Sequence, residues 1–163
     1  MTKNKTGLSF LWLSAVAFIL DLLTKYIVVQ RFDLYESVNL LPVFNLTYVR
    51  NYGAAFSFLA EHDGWQKYFF IVLAIGISLM LAYFMKKNSA EQKLQNSAYA
   101  LIIGGALANM VDRAYNGFVV DFLDFYWDIH HYPVFNVADI AICIGAGLLA
   151  LDAFKDNKKS GQK

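Results

Sequence analysis

Four long apolar runs decide what this chain can fold into. They cover about residues 8–29, 68–85, 97–114 and 135–154. Each approaches the length of about 20 residues that a helix needs to cross a hydrocarbon core. Inside a bilayer no water satisfies the backbone, so such runs must close their own hydrogen bonds as helices. Composition agrees: 58% of the 163 residues are hydrophobic, 17% are charged, and the mean hydropathy is +0.40. A soluble domain of this size is rarely so apolar. The expected architecture is one integral-membrane domain over residues 1–163, mainly α, with four transmembrane helices. The net charge of +1 gives no footprint for nucleic acid. The single cysteine, Cys143, excludes a disulfide framework and reads as a small core residue. The first run is too long for a signal-peptide core, contains Asp21 and Lys25, and lacks a small-residue cleavage site, so it reads as a retained helix.

Basic residues set the orientation. Lys3 and Lys5, then Lys86, Lys87 and Lys93, then Lys155, Lys158, Lys159 and Lys163 fall on one side of a four-pass chain, which is therefore cytoplasmic and carries both termini. The other two connections face outward. The first is long, and Phe44, Leu46 and Tyr48 alternate with Asn45, Thr47 and Val49. That period of two predicts a small extracytoplasmic β-sheet within about residues 32–62. The second carries "FLDFYWDIHH", read as a short interfacial helix or lid over about residues 122–131, with Asp124 and Asp128 on its wet surface. His130 and His131 have no third ligand at metal-site spacing and read as solvated loop residues; no metal or cofactor is expected. The "NLT" sequon at Asn45 matters only in a eukaryotic secretory setting, for which nothing else argues.

Polar groups inside the apolar runs are costly and are functional candidates. Asp21 and Lys25 stand four apart and can pair on one helix face, though Lys25 could also snorkel outward. Asn109, Asp112 and Arg113 share one face of the third helix. They form either a self-satisfied network or a grip on carbonyls or a headgroup. Asp139 has no Lys or Arg within four positions, and Asn136 precedes it by one turn. Asp121 ends "NGFVVD", just beyond the third helix, and an antiparallel path brings it opposite Asp139. Two facing carboxylates in a low-dielectric site share a proton, so one serves as general base and the other as general acid. A proton-coupled transporter with Asp139 as its relay would show a similar pattern. Its compact form has short loops, unlike the long outward segment here. A purely structural subunit would not keep so many polar groups at one depth.

The motifs "DLLTK", "RNYGAAFSF", "GGALANMVDR", "GFVVDFLDF" and "FNVADIAI" occur here in the order found in lipoprotein signal peptidases, the type II signal peptidases of bacteria. The chain resembles that family over most of its length, and "RNYGAAFSFLA" resembles its Gram-negative members. The resemblance implies an inner-membrane aspartic endopeptidase with its active site at the periplasmic face. It implies a catalytic dyad of Asp121 and Asp139, and substrate-binding roles for Asn51, Gly53, Asn109, Arg113 and Asn136. Asp21, Lys25 and Asp112 would be structural. The implied substrate is a diacylglyceryl prolipoprotein, cleaved just before its lipidated cysteine, in contact with membrane lipids. Globomycin-type cyclic peptides would be expected to inhibit. One departure is Ala108, where the family has Gly.

Overall fold

The structure is a computed structural model and describes residues 5–53 and 65–160. Residues 54–62 of the expected outward β segment lie outside the described residues. Four long helices, α1 (Leu11–Arg31), α2 (Trp65–Lys87), α3 (Lys93–Asn116) and α4 (Val137–Ser160), carry a small sheet at one end. Its strands are β1 (Ser37–Leu41), β2 (Phe44–Asn51), β3 (Val119–Trp127) and β4 (His130–His131). They pair antiparallel in the order β1-β2-β3-β4.

Three helical segments, Gly7–Arg31, Trp65–Lys87 and Val137–Lys155, are long and apolar enough to cross a membrane. The sequence expectation was four. Helix α3 matches them in length, at 24 residues, but not in apolarity. Its position explains the difference. It packs against α1, α2 and α4, so its surface meets protein more than surroundings. Nine of its residues are buried, including Asn96, Asn109 and Asp112.

Close packing around α3 rests on small residues. A Cβ added at Gly104 would lie 2.6 Å from the Ser14 carbonyl oxygen of α1, and one at Gly105 would collide with the Ala138 carbonyl oxygen of α4. Ser14 Oγ donates to the Ala100 carbonyl at 2.7 Å, tying α1 to α3 again. Ala108 is fully buried, so the departure from the family's glycine is accommodated in a packed contact.

The end of α3 directs the chain into the sheet. Gly117 caps the helix with φ 82°, and its N–H donates to the Arg113 carbonyl. That left-handed cap favours glycine. Strand β3 follows two residues later. The expected interfacial helix over residues 122–131 is therefore corrected to strands. "VVDFLDFYW" is rich in β-branched and aromatic residues, and it fills the sheet beside β2 rather than lying alone on a surface. Beneath the sheet, Val28, Tyr48, Val120 and Phe122 form a core with Phe32, Leu46 and Val137.

Overpacking a close helix contact costs about 1–3 kcal/mol. Gly105→Val is expected to lower the thermal midpoint in detergent and to reduce turnover, because it pushes α4 away from α3. Gly76, with nothing within 4 Å of an added Cβ, supplies the control: Gly76→Ala should leave the midpoint unchanged or slightly raised.

Candidate active site

The site forms where α3, β3 and α4 meet. Asn136 precedes the first turn of α4, and Asp139 lies within that turn. Asn136 Oδ1 accepts the Asp139 N–H at 2.9 Å, and Asp139 Oδ2 accepts the Asn136 N–H at 3.2 Å. This is a reciprocal capping box with aspartate at its third position. It satisfies two N–H groups at the helix start and fixes the Asp139 carboxylate. Asp121 lies on β3 opposite Val49 of β2, so Asn51, two residues on, projects from the same face.

Three asparagine amides serve the two carboxylates. Asn136 Nδ2 donates to Asp121 Oδ1 at 2.6 Å. Asn51 Nδ2 donates to Asp121 Oδ2 at 2.9 Å. Asn109 Nδ2 donates to Asp139 Oδ1 at 2.9 Å. An amide can be turned two ways, and its orientation follows from its partners. Here each amide oxygen faces a donor. Asn136 Oδ1 has the Asp139 N–H, Asn51 Oδ1 has the Gly53 N–H at 3.0 Å, and Asn109 Oδ1 has Lys25 Nζ at 2.7 Å. Every N–H side is thereby committed to the aspartates.

Behind this lies a charged hub. Lys25 Nζ contacts Asp21 Oδ2 at 2.6 Å, Asp112 Oδ2 at 3.0 Å and Asn109 Oδ1 at 2.7 Å. The ammonium donates a hydrogen bond to Asn109 and forms ion pairs with both aspartates. The hub reaches the backbone on both sides. Asp21 Oδ1 accepts the Ala138 N–H at 2.7 Å, and Asp112 Oδ2 accepts the Val120 N–H at 3.2 Å. Ala138 and Val120 are the residues immediately before Asp139 and Asp121. The pairing of Asp21 with Lys25 is as the spacing suggested. Snorkelling is corrected, because Lys25 is only 3% exposed. Asp112 turns to Lys25 of α1 rather than staying within its own helix face.

Asp121 and Asp139 open onto one cleft of about 980 Å³. Arg50, Asn51, Gly53, Phe70, Arg113 and Cys143 also line it. The Arg113 guanidinium stacks over Phe70, with Cζ 4.8 Å from the ring centre, and its Nε has no hydrogen-bond partner among the described residues. Cys143 was expected in the core. It is instead exposed and lines the cleft, four residues past Asp139 on the same helix face. That spacing was the available signal for it. Phe70 had no such signal.

Burial first, and then the neighbouring Asp139 carboxylate, push the Asp121 carboxyl up to about 7, against the hydrogen bonds from Asn51 and Asn136. Asp124 behaves oppositely. Burial opposes its ionisation, but hydrogen bonds from His131, Asn45 and Thr47 outweigh it and hold Asp124 below the usual carboxylate range. It accepts from His131 Nδ1 at 2.7 Å, Thr47 Oγ1 at 2.9 Å and Asn45 Nδ2 at 3.1 Å. Asp124 is thus a buried clasp of β2, β3 and β4, not a wet lid residue, and His131 is its partner rather than a free loop side chain. Asp128 is exposed in the β3–β4 turn, as expected.

This architecture is that of a membrane enzyme. A solved structure described as a bacterial membrane enzyme, determined by the in meso method at 2.3 Å resolution, superposes with a TM-score of 0.84 at 32% identity, covering 95% of this chain and 93% of that one. The family described as Signal peptidase (SPase) II matches residues 13–155. The lipoprotein signal peptidase of Haemophilus influenzae strain PittGG is 85% identical over 160 residues, 98% of this chain and 94% of that one. That of Pasteurella multocida strain Pm70 is 77% identical over 163 residues, 100% of this chain and 99% of that one. The chain belongs to the signal peptidase II family and is a peptidase.

A carboxyl raised in the fold stabilises it while protonated, below its unfolded value near 3.8, and loses that contribution as pH rises through about 7. The thermal midpoint is therefore expected to fall between pH 5 and pH 8. Asp121→Asn should flatten that slope in thermal melts. An unchanged slope in the variant would place the titration elsewhere.

Proposed function

We propose that the chain is an aspartic endopeptidase that removes signal peptides from diacylglyceryl-modified prolipoproteins, cutting just before the lipidated cysteine. The observation that carries this is the convergence of Asp121 and Asp139 on one cleft, both held by Asn136, which donates its side-chain amide to Asp121 and its backbone N–H to Asp139. Their mutual repulsion makes the pair share one proton. The ionised member takes a proton from water as that water attacks the scissile carbonyl. The protonated member supports the developing oxyanion and gives its proton toward the leaving amine. Arg113, whose guanidinium belongs to the cleft lining, is suited to hold a substrate carbonyl beside the dyad. Asn51 and Gly53 at the cleft wall complete the substrate-binding set with Asn109 and Asn136.

The membrane setting follows the same logic. We read α3 as a fourth span whose polar residues are tolerated because neighbouring helices cover it. Lysine placement puts both termini in the cytoplasm and the cleft at the periplasmic face of the inner membrane. There the lipid of the substrate stays in the bilayer while the scissile bond meets water. The cleft wall is mainly apolar, as a lipid-linked peptide or a globomycin-type cyclic inhibitor requires. Membership of a peptidase family replaces the transporter reading.

Purified protein should cleave a diacylglyceryl prolipoprotein in detergent or lipid. Asp121→Asn and Asp139→Asn should each fold and lose about 100- to 10,000-fold in turnover. Cleavage at the normal rate by either variant would sink the dyad. Activity should fall above about pH 7 as the pair loses its last proton, a limb that belongs to the pair and not to one residue. Chelators are expected to leave the rate unchanged.

A further inference from the structure

Lys25 never touches the cleft, yet its three bonds converge on the dyad's supports. One arm goes through Asp21 to the Ala138 N–H, and one through Asp112 to the Val120 N–H. These two arms position backbone. The third arm, to Asn109 Oδ1 at 2.7 Å, governs the orientation of a side chain that bonds Asp139 directly. An ammonium has no acceptor, so only the amide oxygen can face it. Turned the other way, Asn109 would point N–H groups at Lys25 and at Asn136 Nδ2, 3.2 Å from its oxygen, and present an oxygen to the Asp139 carboxylate. All three contacts would be repulsive.

We propose that Lys25 is a positioning residue of the dyad, acting through the Asn109 amide to keep an N–H on Asp139 and so hold the two carboxylates in their proton-sharing arrangement. This rests on the aspartic peptidase reading and deepens it. A purely structural ion pair would need Asp21 and Asp112 alone. The Asn109 arm adds nothing to neutralising charge, but it is the one of the three asparagine locks made by a side chain of another helix.

The charges facing Asp121 are Asp139 from α4, Lys25 from α1, and Arg113 from α3, with Asp112 beside Lys25. Lys25 favours the ionised form of Asp121. Its removal therefore moves the alkaline limb of activity to higher pH, a readout that loss of packing alone would not produce.

The test is steady-state cleavage of a diacylglyceryl prolipoprotein by Lys25→Met, Asn109→Ala and the double variant, with Asp121→Asn in parallel. Lys25→Met should lower kcat about 100-fold with KM nearly unchanged, the effect of a misplaced catalytic group. Its alkaline limb should move upward. Because Lys25 acts through Asn109, the double variant should lose little more than Asn109→Ala alone. A full additive loss, or an unmoved limb, would overturn the proposal. Lys25→Met leaves two buried carboxylates unpaired and is expected to be destabilised. The triple variant Asp21→Asn, Lys25→Met, Asp112→Asn removes that charge while keeping amide oxygens for Ala138 and Val120. Wild-type kcat and limb in the folded triple variant would equally overturn it. If Asp121→Asn is inactive while Lys25→Met behaves as wild type, only the role of Lys25 fails. If Asp121→Asn cleaves normally, the dyad reading itself fails.

Discussion

The structure depends on an ammonium group buried among three helices. Lys25 reaches this position from α1 and is buried, so Asp21 and Asp112 must lie against it. Removing one partner from such a cluster is costly, because the remaining charge is left bare. The cluster therefore acts as a single unit. Its carboxylates also hold backbone N–H groups of residues 120 and 138, which fixes the start of β3 relative to the start of α4. Asp121 and Asp139, on different elements, then have little freedom to drift apart. The cost of burying charge is converted into positional accuracy at the site next to it.

That accuracy also needs helices that approach closely. Small residues along α3 let its backbone meet carbonyls of α1 and α4, so the polar end of α3 is brought within hydrogen-bond reach of both. The sheet performs the matching task above. It covers the core of Val28, Tyr48, Val120 and Phe122, and its register puts Asn51 on the same face as Asp121. The buried Asp124 ties three strands together through His131, Thr47 and Asn45, which keeps β3 in that register. Packing and polar satisfaction thus point to the same geometry from two sides.

Much of this was legible in the residues. Apolar run length located the four long helices, three of which are long and apolar enough to cross a membrane. The i, i+4 spacing of Asp21 and Lys25 announced their pairing, and the i, i+3, i+4 spacing of Asn109, Asp112 and Arg113 announced a polar face. What spacing could not convey was which neighbour each group would choose. Asp112 prefers Lys25 of another helix to Arg113 beside it, and that choice depends on how α1 and α3 pack. The segment at 122–131 was misread because aromatic and acidic residues suit both an amphipathic helix and a strand. Only its partner, β2, decides between them. The burial of Asp124 and the exposure of Cys143 follow from that same tertiary placement and had no local signature strong enough to override composition.

The central claim is that two carboxylates activate water without either becoming a nucleophile. A single-turnover cleavage in water enriched in oxygen-18, with unlabelled enzyme, tests this directly by mass spectrometry of the released signal peptide and of the enzyme. The account predicts one heavy oxygen in the new carboxyl group of the peptide and none in Asp121 or Asp139. A released peptide without heavy oxygen, together with heavy oxygen in either aspartate, would show a covalent intermediate and contradict it.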